Sequence, residues 1–253
     1  MTTLTPLTSN SARVAVVTGA AGGLGEAFAL RLAASGHTLV LTDRVPCDAL
    51  AARIEAQGGR ALALPCDLAD VDDIARFSAR VLELTGKVDV LVNNAAFMPM
   101  APVANINAGL WRQIMGVNVD APFLLAQAFS VGMIERGWGR IVNLASSTVW
   151  GPPPGMSAYA CSKMAVIGLT RALASEFGPH GVTVNAISPG LTKHAGSAAH
   201  LPPEAFETVR ARQFIPRTGQ PDDLTGALAF LVSDDARFYT GQVMNVDGGG
   251  FGF

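Results

Sequence analysis

The stretch RVAVVTGAAGGLG, Arg13–Gly25, decides the fold. A short β-branched run, Arg13–Thr18, passes directly into a glycine-rich turn and then an Ala- and Leu-rich segment, Leu24–Ser35. A near-continuously apolar strand that feeds a helix through a tight turn starts a βαβ unit. The same alternation continues along the chain. His37–Thr42, Arg60–Leu64, Val88–Asn93, Arg140–Ser146, Val182–Ser188 and Gln242–Val246 read as further strands, with helical stretches such as Asp48–Gln57 and Val71–Thr85 between them. Buried strands spaced by helices predict a parallel sheet covered on both faces, with right-handed crossovers. The expected fold is therefore α/β: a single doubly wound domain over residues 13–253 with about seven parallel strands, after an N-terminal tail at 1–12. Ligands of such sheets bind beyond the carboxyl ends of the strands.

Composition agrees with a large packed core. Of 253 residues, 49% are hydrophobic and only 15% charged, against roughly 25% charged in an average soluble domain. The net charge of −2 argues against a sequence-independent nucleic-acid binder. Two long uncharged stretches, Val90–Trp111 and Ile141–Ser162, are broken by asparagines and prolines, so neither reads as a membrane span. No secretory signal is visible at the N-terminus. Three cysteines, Cys47, Cys66 and Cys161, have no metal-ligand spacing and do not form a disulfide framework. A cytoplasmic location and no metal are the corresponding expectations.

The glycine turn has a chemical reading. Gly19, Gly23 and Gly25 around Leu24 allow backbone to approach a pyrophosphate closely, and the helix that follows offers free N–H groups and a partial positive charge. Asp43 ends the second strand, eighteen residues past Gly25. A carboxylate there accepts both ribose hydroxyls of an adenosine and repels a 2′-phosphate. Arg44 pulls the other way, since a guanidinium pairs with that phosphate. Asp43 carries more weight, so NAD is expected ahead of NADP. Asp67 and Leu68 follow the third strand and suit a contact to adenine, although Asp67 also suits a helix cap.

A second cluster carries proton chemistry. Tyr159 and Lys163 stand at i and i+4, on one face of a helix. A nearby ammonium favours the phenolate, which makes the pair a general acid–base for an alcohol or carbonyl. Ser146, thirteen residues before Tyr159 at a strand end, suits a hydroxyl that holds the substrate oxygen; Ser147 is its neighbour.

Together, the Gly19–Gly25 turn, Asn93-Asn94-Ala95-Ala96, Asn118, Ser146, Tyr159, Lys163 and Pro189-Gly190 resemble the classical short-chain dehydrogenase/reductase family, over about residues 13–250. Within it, Gly137–Leu144, Ser146–Trp150 and Asp223–Gln242 resemble secondary alcohol dehydrogenases of the 1-phenylethanol dehydrogenase type. The resemblance implies a Rossmann fold. It implies Tyr159 as proton donor or acceptor, Lys163 as the group that lowers its pKa and holds the nicotinamide ribose, and Ser146 as the positioner of the substrate oxygen. Asn118 would maintain a water relay to Lys163. Asn93 and its neighbours Asn94 and Ala95 would line the adenosine ribose and support the central strand; Pro189, Gly190, Leu191 and Thr192 would approach the nicotinamide. Two positions depart from the family pattern: Ala96 stands where glycine is commoner, and His194 where a threonine is frequent. Thr192 then takes the carboxamide contact, or His194 faces the substrate.

The expected substrate pocket is apolar, drawn from Phe97, Met98, Pro99, Met100, Trp150, Pro152, Met156 and a lid at about 191–214, with His194 at its edge. That favours hydride transfer between NAD(H) and an aryl or cyclic secondary alcohol or ketone. Alternatives with the same catalytic residues are a sugar or polyol dehydrogenase and a 3-oxoacyl thioester reductase. A cofactor-sensing protein on the same scaffold is the non-enzyme alternative. By resemblance, the segments Gly109–Arg136 and Gly155–Gly178 would form the contacts of a homotetramer; the Gly248–Phe253 tail would reach a neighbouring subunit or else fray.

Overall fold

The structure is a computed structural model that describes Ala12–Phe251; most of the N-terminal tail and the last two residues of the Gly248–Phe253 tail lie outside the described residues. Seven strands form one sheet: β1 Val14–Thr18, β2 Thr38–Thr42, β3 Arg60–Ala63, β4 Val90–Asn93, β5 Gly139–Leu144, β6 Val182–Pro189 and β7 Val243–Val246. Their order is β3-β2-β1-β4-β5-β6-β7, and every neighbouring pair is parallel. The order reverses between β1 and β4, which leaves a crevice at the carboxyl end of β1.

Alternate residues of each strand feed two cores. Ala15 and Val17 of β1 pack with α1 (Gly23–Ala34), α2 (Asp48–Ala56) and α9 (Asp222–Leu231), through Phe28, Leu32, Ile54 and Leu228. Val14 and Val16 face α3 (Val71–Thr85), α5 (Ala121–Glu135) and α6 (Ser157–Phe177), through Phe77, Val81, Phe129 and Phe177. Because both faces are covered, the strands need no polar alternation, and β1, β2 and β4 are buried throughout. Deleting a ring such as Phe129, 1% exposed, removes on the order of 3–5 kcal/mol.

The helices begin and end where local chemistry dictates. Asp70 caps α3 by accepting from the Asp72 and Asp73 N–H groups, and Gly86 ends it in the left-handed region at φ 70°. Between α4 (Ala108–Met115) and α5 the helix widens into a π turn, Gly116–Asp120, which pushes Asn118 into the interior. By length and composition the run Ala108–Glu135 is apolar enough to cross a bilayer, and 44% of its most apolar part is buried inside the protein. The strand expected to reach Ser146 stops at Leu144. Ala145 still donates to the Ile187 carbonyl at 2.8 Å, and Ser146 then turns away to cap a 3₁₀ turn, Ser147–Val149. The expected lid forms two short helices, α7 Ala195–His200 and α8 Pro203–Arg210.

Candidate active site

The glycine turn lies at the carboxyl end of β1, in the crevice. A Cβ at Gly25 would run into the Gly19 carbonyl oxygen, and one at Gly19 would fall 2.8 Å from the Ala95 Cα. Asn94 clamps the turn by donating to the carbonyls of Thr18 (2.9 Å) and Gly19 (3.0 Å), while the Thr18 hydroxyl accepts from the Asn94 and Ala95 N–H groups. Asn94 is thus occupied in holding the cradle. Among the described residues no side chain caps the N-terminus of α1; the Gly25 N–H turns back to the Gly22 carbonyl, and those of Gly23 and Leu24 face the cavity side of the turn for a ligand.

Two cavities share this turn. One, of about 620 Å³, is lined by Asp43, Arg44, Cys66, Asp67, Leu68 and Ala95, among others. The Asp43 carboxylate there accepts from the Ala21 and Val45 N–H groups at 3.2 and 3.3 Å. The other is open to solvent, about 1400 Å³, and reaches from Gly22, Gly23 and Leu24 to Tyr159, Lys163, Pro189, Gly190 and Thr192. A phosphate cradle between an acid-edged pocket and a larger cavity with a buried Tyr-Lys pair fits a dinucleotide, adenosine on the Asp43 side and nicotinamide on the Tyr159 side. Asp43, Arg44, Asp67 and Leu68 would hold the first half, and Lys163, Pro189, Gly190 and Thr192 the second.

At the reacting end, α6 presents Tyr159 and Lys163 one turn apart. The Lys163 ammonium donates to the Leu144 carbonyl at 2.6 Å. Complete burial pushes its pKa down to about 8. Burial pushes the Tyr159 phenol up to about 12, and the neighbouring Ser146 hydroxyl pulls the other way by favouring the phenolate. Asn118 is tied to the loop that follows β4: its Oδ1 accepts from the Phe97 N–H at 2.7 Å, and its Nδ2 donates to the Phe97 carbonyl and to Ser162 Oγ. Ser162 in turn donates to the Tyr159 carbonyl at 2.7 Å. The Asn118 side chain therefore braces the catalytic helix through Ser162, with no direct bond to Lys163.

The structure places Tyr159, Lys163, Met98, Thr192 and His194 on one cavity, and Ser146 lies buried beside Tyr159 without lining it. Phe97, expected at the substrate, lines the Asp43-side cavity instead, turned there by its backbone bonds to Asn118. Trp150, which closes the 3₁₀ turn, and Met156, buried just before α6, do not line the reacting cavity. His194 packs on the glycine turn: a Cβ at Gly23 would fall 2.8 Å from its Nδ1. It also caps α7 by accepting from the Ser197 N–H, and partial burial lowers its pKa. Ala96 lines both cavities, so its extra methyl is accommodated. Ser162 and Thr148 were legible only as spacings: Ser162 is three residues from Tyr159, within reach of its carbonyl on a helix, and Thr148 is two from Ser146.

Comparison with known proteins matches residues 19–250 to a family profile described as enoyl-(acyl carrier protein) reductase. The chain is 36% identical to a 3-oxoacyl-[acyl-carrier-protein] reductase of Synechocystis sp. over 96% of its length and 98% of that protein's. It is also 36% identical to the (2S)-[(R)-hydroxy(phenyl)methyl]succinyl-CoA dehydrogenase subunit BbsD of Thauera aromatica, over 94% and 96%. Among solved structures, a candidate NAD(P)-dependent gluconate 5-dehydrogenase from Beutenbergia cavernae, with NADP bound at low occupancy, superposes with a TM-score of 0.91 at 40% identity, covering 97% of this chain and 99% of that one. Likeness that runs from the phosphate turn through the reacting residues to the last strand has one meaning: the chain is an oxidoreductase of the classical short-chain dehydrogenase/reductase family.

Proposed function

We propose that the protein interconverts a secondary alcohol and its ketone with NAD(H), on a compact substrate with apolar groups beside the reacting carbon, aryl or cyclic alcohols first. The observation that carries the reading is Tyr159, buried beside Ser146 and the fully buried Lys163 at the end of the larger cavity. Bound nicotinamide supplies or accepts the hydride. Ser146 donates to the substrate oxygen and orients it. Tyr159 gives that oxygen a proton in reduction and takes it in oxidation. Lys163 sets the charge beneath the phenol.

The choice of substrate rests on the cavity wall. Met98, Leu144, Ala145 and Leu191 are apolar, and among the described residues lining this cavity the charged or titratable groups are Asp43, Tyr159, Lys163 and His194. No arginine stands there to clamp a sugar acid's carboxylate. The names of the relatives lean to the other readings: a second, reduction of a 3-oxoacyl thioester, carried by two of them, and a third, oxidation of a sugar acid, carried by the B. cavernae structure. The BbsD substrate name joins the first two readings, since a hydroxy(phenyl)methyl group on an acyl-CoA is both a benzylic alcohol and a 3-hydroxyacyl thioester. Asp43 supports NAD; Arg44 and the NADP in the B. cavernae structure support the phosphorylated form.

The test is nicotinamide absorbance with both dinucleotides, using 1-phenylethanol, cyclohexanol, a 3-hydroxybutanoyl thioester and gluconate. NAD-dependent turnover of the first two supports the leading reading. Turnover confined to the thioester selects the second, and turnover confined to gluconate overturns both. The exposed apolar Trp111, Phe123, Val131 and Met164 on α4, α5 and α6 support self-association, with a tetramer expected by light scattering.

A further inference from the structure

The Ser146 hydroxyl receives two donors from a single residue. The Thr148 hydroxyl donates to Ser146 Oγ at 2.9 Å, and the Thr148 backbone N–H donates to the same oxygen at 3.3 Å. A serine oxygen has two acceptor positions and one hydrogen. With both acceptor positions engaged from the side of the 3₁₀ turn, the one remaining capacity is donation, and the Tyr159 phenol is the polar group beside it on the reacting side. Ser146 holds this pose because it caps that turn in extended geometry, φ −165° and ψ 143°.

We propose that Thr148 is a positioning residue that fixes Ser146 as a donor, its single hydrogen directed to the Tyr159 side of the site and passing to the substrate oxygen when substrate binds. The proposal rests on the assignment of Ser146 and Tyr159 as the reacting pair. The reverse orientation, with Ser146 donating to Thr148, would turn a serine lone pair toward the substrate oxygen and oppose binding of a carbonyl. Ser146 Oγ is the one hydrogen-bond partner of the Thr148 hydroxyl among the described residues, so nothing competes for its proton. As negative charge grows on the substrate oxygen, Ser146 donates more strongly to it, and Thr148 to Ser146; in the free enzyme the same chain favours the Tyr159 phenolate. Each bond in such a chain polarises the next.

Thr148→Val keeps the branched shape and removes the hydroxyl; Thr148→Ser keeps the hydroxyl. Acetophenone reduction with NADH is the first probe, replaced by whichever panel substrate the wild type turns over. For Thr148→Val the expected result is a fall in kcat of about tenfold, near 1.4 kcal/mol, with the KM for dinucleotide unchanged. The alkaline limb of the pH profile moves to higher pH, because the phenolate loses part of its stabilisation. Thr148→Ser restores both. Equal losses in both variants, or a Val variant with unaltered kcat and pH limb, overturn the proposal in favour of packing alone. If no panel substrate turns over, the substrate reading fails by itself and the readout becomes tyrosinate absorbance in a Tyr239→Phe background. Tyr159 and Tyr239 are the two tyrosines of the chain, so that background isolates Tyr159. An upward shift of its ionisation in Thr148→Val supports the proposal, and no shift overturns it.

Discussion

Lys163 Nζ lies 5.7 Å from the centre of the Tyr159 ring, and both side chains are buried. Burial opposes charge on each, taking Tyr159 up to about 12 and Lys163 down to about 8. The lower value is that of Lys163, so the pair loses its first proton near pH 8, from the ammonium. Below that pH the phenol and ammonium are both protonated, and Tyr159 acts as a donor. Ketone reduction should hold a plateau on the acid side and decline as the pair loses its proton. Alcohol oxidation should rise over the same interval. Initial rates in both directions between about pH 6 and 10 check this. An oxidation rate that falls from neutral to mildly alkaline pH would contradict the assignment.

Tyr159→Phe keeps the ring against Lys163 and removes the oxygen that Ser146 contacts. Turnover should fall by about 10²–10⁴-fold, the usual worth of a general acid–base. Dinucleotide binding, followed by calorimetry, should stay near the wild-type value because the glycine cradle and Asp43 are untouched. Full activity in this variant would remove Tyr159 from the mechanism.

Asp43 holds the Ala21 and Val45 N–H groups and edges the adenosine-side cavity beside Arg44. Asp43→Asn keeps an acceptor oxygen while removing the charge that would repel a 2′-phosphate. The ratio of kcat/KM for NAD over NADP should drop about tenfold or more, mostly through a lower KM for NADP. An unchanged ratio would assign dinucleotide selection elsewhere.

The strands were legible because a sheet buried on both faces leaves a continuous apolar run in the sequence, and each run was closed by glycine or a polar residue. Tyr159 and Lys163 were legible because helical spacing alone puts them on one face. Phe97 was less legible. Its side chain is apolar wherever it points, and its direction is set by two backbone bonds to Asn118, twenty-one residues away. The π turn that buries Asn118 is a one-residue change in helical pitch, which leaves no periodicity to read. His194 illustrates the same limit. A histidine at the start of the lid is compatible with solvent, substrate or cofactor, and only the packing of α7 on α1 brings it against Gly23.

Beneath the reacting pair, a polar chain crosses the sheet into the catalytic helix. Asn93 of β4 donates to Asn143 of β5 at 2.8 Å, Asn143 donates to Thr170 of α6 at 2.9 Å, and Thr170 donates to the Val166 carbonyl. All three side chains are buried. Asn143→Ala would leave the Asn93 amide in an apolar core without its acceptor. The cost should be about 2–3 kcal/mol, a fall in Tm of roughly 4–10 °C for a chain of this size. Asn93→Ala should cost a similar amount by stranding the Asn143 oxygen. The double variant strands no such pair, so it should be more stable than the sum of the two losses by about 1 kcal/mol or more. Strict additivity in denaturant unfolding would mean that the two asparagines stabilise the sheet separately, and that the chain does not tie α6 to its strands as one unit.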